Sequence, residues 1–391
     1  MKLIILIISI SAFTFPLFAQ NTVEKVLTEV EKNNTTLVAL RKSVDAEKIG
    51  NKTGIYLQNP EIEFNYLWGS PSLIGNRTDI SIRQTFDFPT AYSYRNQISN
   101  FRNEQAELEY NKQRKSILLQ ARLICIDLVF TNAVKSELSK RLLHSQRIAD
   151  SYKAKFNVGE TNILEFNRAQ LNLLNLSKEL ETVELNRNEL LAELARLNGG
   201  APIEFIEKEF LSTAIPYDFE HWYVQAEQNN PVLKWLKQEI ELRQKQEKLN
   251  SALSLPKLQA GYMSEKVVGE HFQGITLGIS IPLYENKNAV KYAKAQTIAA
   301  ESIEKDNKLQ FYTELKMLHS KAIDLQKSLN DYRENLKALD SSDLVAKALD
   351  KGQIELIDYI LELSIYYQSV NQMLESERNL NKVIAELNQY L

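Results

Sequence analysis

Glycine and proline are scarce in this 391-residue chain, 12 and 9 of them, and where they fall constrains the fold more than anything else in the sequence. Between Pro89 and Gly159 run 69 residues with neither, and between Pro282 and Gly352 run another 69; 39 separate Gly159 from Gly199, and 39 follow Gly352 to Leu391. A compact domain of ~11-residue helices scatters its breakers more evenly. Runs of this length predict very long helices that turn at a glycine and return. Leu315, Leu318, Ala322, Leu325, Leu329, Tyr332, Leu336 and Leu339 recur at alternating steps of three and four, as do Leu173, Leu176, Leu180 and Val183 and, near the C-terminus, Tyr366, Val370 and Met373. Such seams belong to coiled coils, whose helices need neighbours along their whole length.

The chain is written twice. At an offset of 196 residues Asn33-Asn34 matches Asn229-Asn230, Leu37 matches Leu233, Leu40 matches Leu236, Pro60 matches Pro256 and Tyr66 matches Tyr262; at an offset of 193 Phe156-Asn157-Val158-Gly159 matches Leu349-Asp350-Lys351-Gly352, and Leu164-Glu165-Phe166 matches Ile357-Asp358-Tyr359. An ordered series of this kind is the signature of an internal duplication. The expected organisation is a leader at 1–19 and a first repeat at 20–200 with a β-hairpin at about 61–88 and a helical hairpin at 90–198. A linker at 201–216 then leads to a second repeat at 217–391, with a β-hairpin at about 257–284 and a helical hairpin at 288–391.

The leader reading rests on Lys2, the apolar run Leu3–Ile10 and a cleavage point after Ala19, which together predict a secretory signal peptide. No cysteine lies near that junction, so N-terminal lipidation is not expected. Beyond the leader, no stretch is expected to supply the ~18 to 20 apolar residues of a spanning helix. Any entry into a membrane then falls to the strands. Ile62, Phe64, Tyr66 and Trp68 alternate with Glu61, Glu63 and Asn65; Ile80, Ile82, Phe86 and Phe88 oppose Asp79, Ser81, Arg83, Thr85 and Asp87; Ile275, Leu277, Ile279, Ile281 and Leu283 oppose Thr276, Gly278 and Ser280. Leu258, Ala260 and Tyr262 make a weaker apolar face. Strands of about ten residues, apolar on one side and polar on the other, match those of transmembrane barrels, although a soluble hairpin packed on a helix has the same alternation. Four strands cannot close a barrel and open edges are not tolerated in lipid, so a barrel made of them must be shared between copies, eight strands for two or twelve for three.

Charge and chemistry exclude other classes. With 47 basic and 50 acidic residues the net charge is −3, which gives no basic surface for nucleic acid. Cys125 stands alone, and His144, His221, His271 and His319 show no ligand spacing, so neither a disulfide framework nor a metal site is expected. No phosphate-binding loop, nucleophile elbow or H-E-x-x-H motif is present, which argues against an enzyme and gives no sign of a cofactor.

The doubled order of helix, hairpin and long helix, the strand exits Gln84-Thr85-Phe86-Asp87-Phe88-Pro89 and Ser280-Ile281-Pro282-Leu283-Tyr284, and the tips Phe156-Asn157-Val158-Gly159 and Lys351-Gly352 resemble the TolC-like outer-membrane efflux family over about Val23 to Leu391. The resemblance implies a mainly α fold with a membrane β part: a homotrimer whose long helical hairpins form a periplasmic α-barrel and whose four strands per chain contribute to a shared twelve-stranded barrel in outer-membrane lipid. It also implies a passive exit duct coupled to a periplasmic membrane-fusion adaptor and an inner-membrane pump. By that resemblance Val158, Gly159, Glu160 and Thr161, with Lys351, Gly352, Gln353 and Ile354, are the adaptor-docking tips. Glu165 and Asp358 match acidic constriction residues, six carboxylates in a trimer, an arrangement that favours cations and repels itself. Glu165 could instead pair with Arg168 or Lys155. Ile354 and Leu361 stand where some members carry an arginine lock and a second acidic ring, so a lock of that kind is not expected here. Two alternatives stay open: a duct for a type I protein secretion system, and a periplasmic coiled-coil structural protein.

Overall fold

The computed structural model describes residues 22–211, 214–339 and 342–391. The signal peptide expected over 1–19 lies outside the described residues. The chain begins with helices α1 (Thr22–Asn33) and α2 (Thr35–Gly50), then strands β1 (Glu61–Leu67) and β2 (Arg77–Phe86), then α3 (Pro89–Asn157) and α4 (Ile163–Leu197). The same order returns in α5 (Phe219–Asn229), α6 (Pro231–Leu253), β3 (Lys257–Val267), β4 (Glu270–Ser280), α7 (Ala289–Leu339), α8 (Ser342–Asp350) and α9 (Leu356–Leu387). Helix α3 fills its breaker-free run with 69 residues, ~100 Å at ~1.5 Å per residue. Proline stands at its first position, where the missing N–H costs no hydrogen bond.

The matches at offset 196 have a local cause. Asn34 and Asn230 are the N-caps of α2 and α6, and each side chain accepts the amide of the leucine three residues on, Leu37 at 2.9 Å and Leu233 at 3.3 Å. Both asparagines and both leucines are buried. A buried cap satisfies an amide that burial would otherwise strand.

The described chain packs as two compact units, one of residues up to Asn33 together with Ala121–Phe210, the other of Asn34–Gln120 together with Leu211–Leu391. In the first unit Val26, Leu27 and Val30 of α1, Ile124, Leu128 and Leu138 of α3, Leu194 and Leu197 of α4, and Phe205 are buried. Arg122 Nη2 donates to Glu24 at 2.8 Å, and Asn33 Nδ2 donates to Asn198 Oδ1 at 3.0 Å. Gly199, at φ +68°, ends α4 so tightly that a Cβ there would lie 2.4 Å from the Asn33 carbonyl oxygen. The α4 seam is only half-buried from Leu173 to Val183.

In the second unit one core joins Trp222 and Tyr223 of α5, Leu233 and Leu236 of α6, Phe311, Leu315, Leu318, Ala322 and Leu329 of α7, and Leu380, Ile384 and Leu387 of α9. Leu315, Leu318, Ala322 and Leu329 are the heptad positions read from the sequence. Leu339, at the end of that predicted seam, is exposed. A smaller cluster packs Ala91 and Ile98 of α3 on Leu242, Leu249 and Ala252 of α6. Glu107 of α3 accepts from Lys48 and from Arg41 of α2, and these two cations hold its carboxyl below the usual carboxylate range.

One expectation is corrected. Helix α3 does contain a window long and apolar enough to cross a membrane, 44% of it buried; the most apolar 18 residues of the helix are 117–134. Ala121, Ile124, Cys125, Leu128 and Val129 in this run are core residues. At these positions burial within the chain accounts for the apolar side chains.

Candidate channel wall and hairpin tips

The four strands form one antiparallel sheet in the order β1-β2-β3-β4 within the second unit. The register brings the apolar alternations of both repeats onto one face. Ile62 stands opposite Ile82, Ile82 opposite Tyr262, and Tyr262 opposite Ile275, giving one continuous apolar rung. Phe86, Leu258 and Ile279 make another. A one-residue slip at any pairing would turn that strand's apolar set to the other face. The rungs are exposed: Ile62 is 74%, Ile275 82% and Leu277 81% accessible. Large contiguous apolar surface of this kind marks an interface or a lipid contact.

The opposite face is polar and internally paired. Arg83 meets Glu63 at 2.8 Å; Arg77 meets Asp79 at 2.8 Å and Glu265 at 3.2 Å. Gly261 lies on this face with no room for a side chain, since a Cβ would approach the Ile82 carbonyl oxygen to 2.5 Å. The outer edges of β1 and β4 have no strand partner among the described residues. At the helix end of the sheet, Asp87 is buried and ion-paired with Arg95 at 2.6 Å, its amide donates to the Tyr92 hydroxyl, and Lys257 meets Glu285 at 3.0 Å. These contacts tie strand ends to the starts of α3 and to the segment before α7.

Both helical hairpins turn by the same bonds. In the first, the Glu160 amide donates to Lys155 O at 2.8 Å and the Gly159 amide to Phe156 O at 3.1 Å; in the second, the Gln353 amide donates to Ala348 O at 2.8 Å and the Gly352 amide to Leu349 O at 3.0 Å. These are equivalent positions at offset 193. Gly159 and Gly352 have φ of +77° and +66°, the left-handed conformation that ends helices and suits glycine. Val158, Gly159 and Glu160 are exposed and Thr161 is half-buried; Lys351, Gly352 and Gln353 are exposed and Ile354 is half-buried. The sequence reading missed the clasp behind the first turn: Phe156 and Phe166 stack across the hairpin with centroids 5.1 Å apart. Their counterparts at offset 193 are Leu349 and Tyr359. Tyr359 is buried, and burial pushes its hydroxyl up to about 12. Aromatic or aliphatic bulk three before and seven after each glycine was the available signal.

The two acidic residues sit differently. Glu165 is half-buried near the N-terminus of α4; its Oε1 accepts from Arg168 at 2.6 Å, and its Oε2 is enclosed without a hydrogen-bond partner. Lys155 lies instead over the Tyr152 ring. Asp358 is exposed in the first turn of α9 and accepts the Glu355 amide at 3.4 Å. Among the described residues no group of three or more His, Cys, Asp or Glu side chains is placed to hold a metal ion.

No family model matches the sequence, and no curated protein matches it. Solved structures match its fold. The CmeC outer membrane channel of Campylobacter jejuni superposes with a TM-score of 0.77 at 14% identity, covering 95% of this chain and 85% of its own. CusC, whose crystal structures concern transmembrane channel formation, gives 0.76 at 11% identity over 94% and 91% of the two chains. The outer membrane protein VceC of Vibrio cholerae gives 0.73 at 13% identity over 94% of each. The resemblance read from the doubled motifs is thus a likeness of fold, and over nearly its whole length the chain has the fold of the TolC-like outer-membrane efflux channels.

Proposed function

We propose that the chain is an outer-membrane exit duct of a tripartite efflux system, passing small molecules or ions delivered by an inner-membrane pump through a periplasmic adaptor. The observation that carries this reading is the exposed apolar rung Ile62–Ile82–Tyr262–Ile275 on a sheet with two open edges. An exposed apolar face suits lipid, and open edges in lipid require closure. With four antiparallel strands per chain, β4 of one copy meets β1 of the next in antiparallel sense, so a ring closes without a mismatch. Three copies give the twelve strands that the family resemblance implies. The polar face, with Arg77, Asp79, Arg83, Glu63 and Glu265, then lines water.

In this reading the two repeats each supply one β-hairpin and one helical hairpin to the wall. Glu165 and Asp358 lie near the periplasmic constriction. Val158, Gly159, Glu160 and Thr161, with Lys351, Gly352, Gln353 and Ile354, meet the adaptor. A passive duct takes its driving force from the pump and needs no catalytic group or cofactor. Photo-crosslinkers placed at Val158 and Gln353 in cells test the partner. A membrane-fusion adaptor in the crosslinked product supports the reading, and crosslinks only between copies of the chain would count against it.

A further inference from the structure

Charge is divided between the two faces of the sheet almost without exception. Glu61, Glu63, Arg77, Asp79, Arg83, Lys257, Glu265 and Glu270 all fall on the polar face by strand parity. On the apolar face the strands carry one formally charged side chain, Lys266. It sits two steps above the Ile62 rung, in the rung Tyr66–Thr78–Lys266–His271, with His271 directly opposite it across the β3–β4 pairing. Both side chains are exposed. The His271 ring lies 2.8 Å from the Ser264 hydroxyl, Ser264 being on the same face, and Lys266 has no ion-pair partner among the described residues.

Height on the sheet gives this rung its meaning. Lys266 is two residues from the Val268-Gly269 turn, at the end of the sheet away from α2, α3, α6 and α7. Tyr66 stands in the same rung and packs edge-on against Trp68 at 5.8 Å. Below it come Phe64 and Ile80 in line with Ser264 and Gln273, then the Ile62 rung. Aromatic residues give way to a cation where an apolar wall leaves hydrocarbon for headgroups. A lysine amine placed there reaches the interface along its own stem. No carboxylate shares the face to neutralise it, so what is complementary to this rung is an anion held at the level of the lipid headgroups.

We infer that Lys266 and His271 form an outward-facing site for the phosphate of an outer-leaflet lipid headgroup, with Tyr66 and Trp68 packing on the lipid beside it. This rests on the proposed insertion of the strands in the outer membrane. The apolar rung below and the aromatic pair beside it place the anion on a lipid and not free in solution.

Native mass spectrometry of the purified full-length protein, mixed in detergent with bisphosphorylated lipid A or with phosphatidylcholine, tests the site. The wild type is expected to retain lipid A adducts in preference to phosphatidylcholine, the Lys266→Gln/His271→Gln variant to lose that preference, Lys266→Arg to keep it, and Lys257→Gln, on the opposite face of β3, to keep it. Recovery of each variant as an outer-membrane oligomer is scored alongside. A double variant that assembles there and still holds lipid A as the wild type does overturns the site alone. A wild type recovered as soluble protein overturns both the site and the insertion it rests on.

Discussion

Arg168 Nη1 donates to Glu165 Oε1 at 2.6 Å, one turn along α4, and the residue in Arg168's place in the second hairpin is Leu361. The two acidic positions of the repeat are therefore not electrostatic equals. Glu165 has a cation beside it, whereas Asp358 has a backbone amide. An intrahelical pair at a half-exposed site is weak in stability terms, but in the proposed duct it would offset part of the charge that Glu165 presents to a passing ion. In planar bilayers Asp358→Asn is expected to lower the cation-over-anion permeability ratio more than Glu165→Gln does, and Arg168→Ala to raise it. Equal effects of the two neutralisations would remove Arg168 from the account.

Phe64 and Ile279 are exposed on the apolar face, in different repeats and on the two outer strands. Arginine on the lipid face of a membrane barrel costs up to about 2 to 4 kcal/mol per site at the midplane and less toward either interface, and each site recurs in every copy. Phe64→Arg and Ile279→Arg should each abolish heat-modifiable oligomers in the outer-membrane fraction, while Glu63→Gln on the polar face leaves them. Normal assembly of both arginine variants would contradict the lipid-facing assignment.

Gly159 and Gly199 separate backbone strain from crowding. Both have positive φ, but a Cβ at Gly159 meets nothing within 4 Å, whereas at Gly199 it runs into the Asn33 carbonyl oxygen. Gly159→Ala is expected to cost only the left-handed penalty, about 1 to 2 kcal/mol, and Gly199→Ala distinctly more. Thermal unfolding of the purified variants checks the order, and a Gly159→Ala variant less stable than Gly199→Ala reverses it.

Cys125 is fully buried, and burial pushes its thiol up to about 12. Since the thiolate is the reactive form, the folded protein at pH 8 should resist maleimide and the denatured protein should label readily. Fast labelling of folded protein would show that the α3 core opens.

Much of this architecture was legible because it rests on local rules. The breaker-free run from Pro89 shows as one helix, and the two glycines turn left-handed because glycine does so at least cost. The alternations show as strands within two residues at each end in the first repeat; in the second, β3 runs three residues beyond Ser264, and β4 starts five residues before Ile275 and ends three before Leu283. Pairings between distant segments were not legible. Alternation says that Ile82 and Tyr262 each face the apolar side, but not that β2 and β3 lie together, because that contact spans the whole of α3 to α6. The apolar run at 117–134 was passed over in the sequence, and hydropathy alone would not have placed it, since core and lipid attract the same side chains; the burial of Cys125 and Leu128 puts those positions in the core. The Glu165 partner was open between Lys155 and Arg168 because both were within one or a few turns; the cation–π contact of Lys155 with Tyr152 resolves it.

Closure of these four strands with those of other copies into one barrel in lipid is read out by fractionating cells that express the chain and running the outer-membrane fraction unheated and heated on denaturing gels. Membrane-bound protein is expected to migrate as a trimer until heated and then as a 45.0 kDa chain, or slightly less once the leader is removed. Recovery as a soluble periplasmic protein with no heat-dependent shift would contradict it.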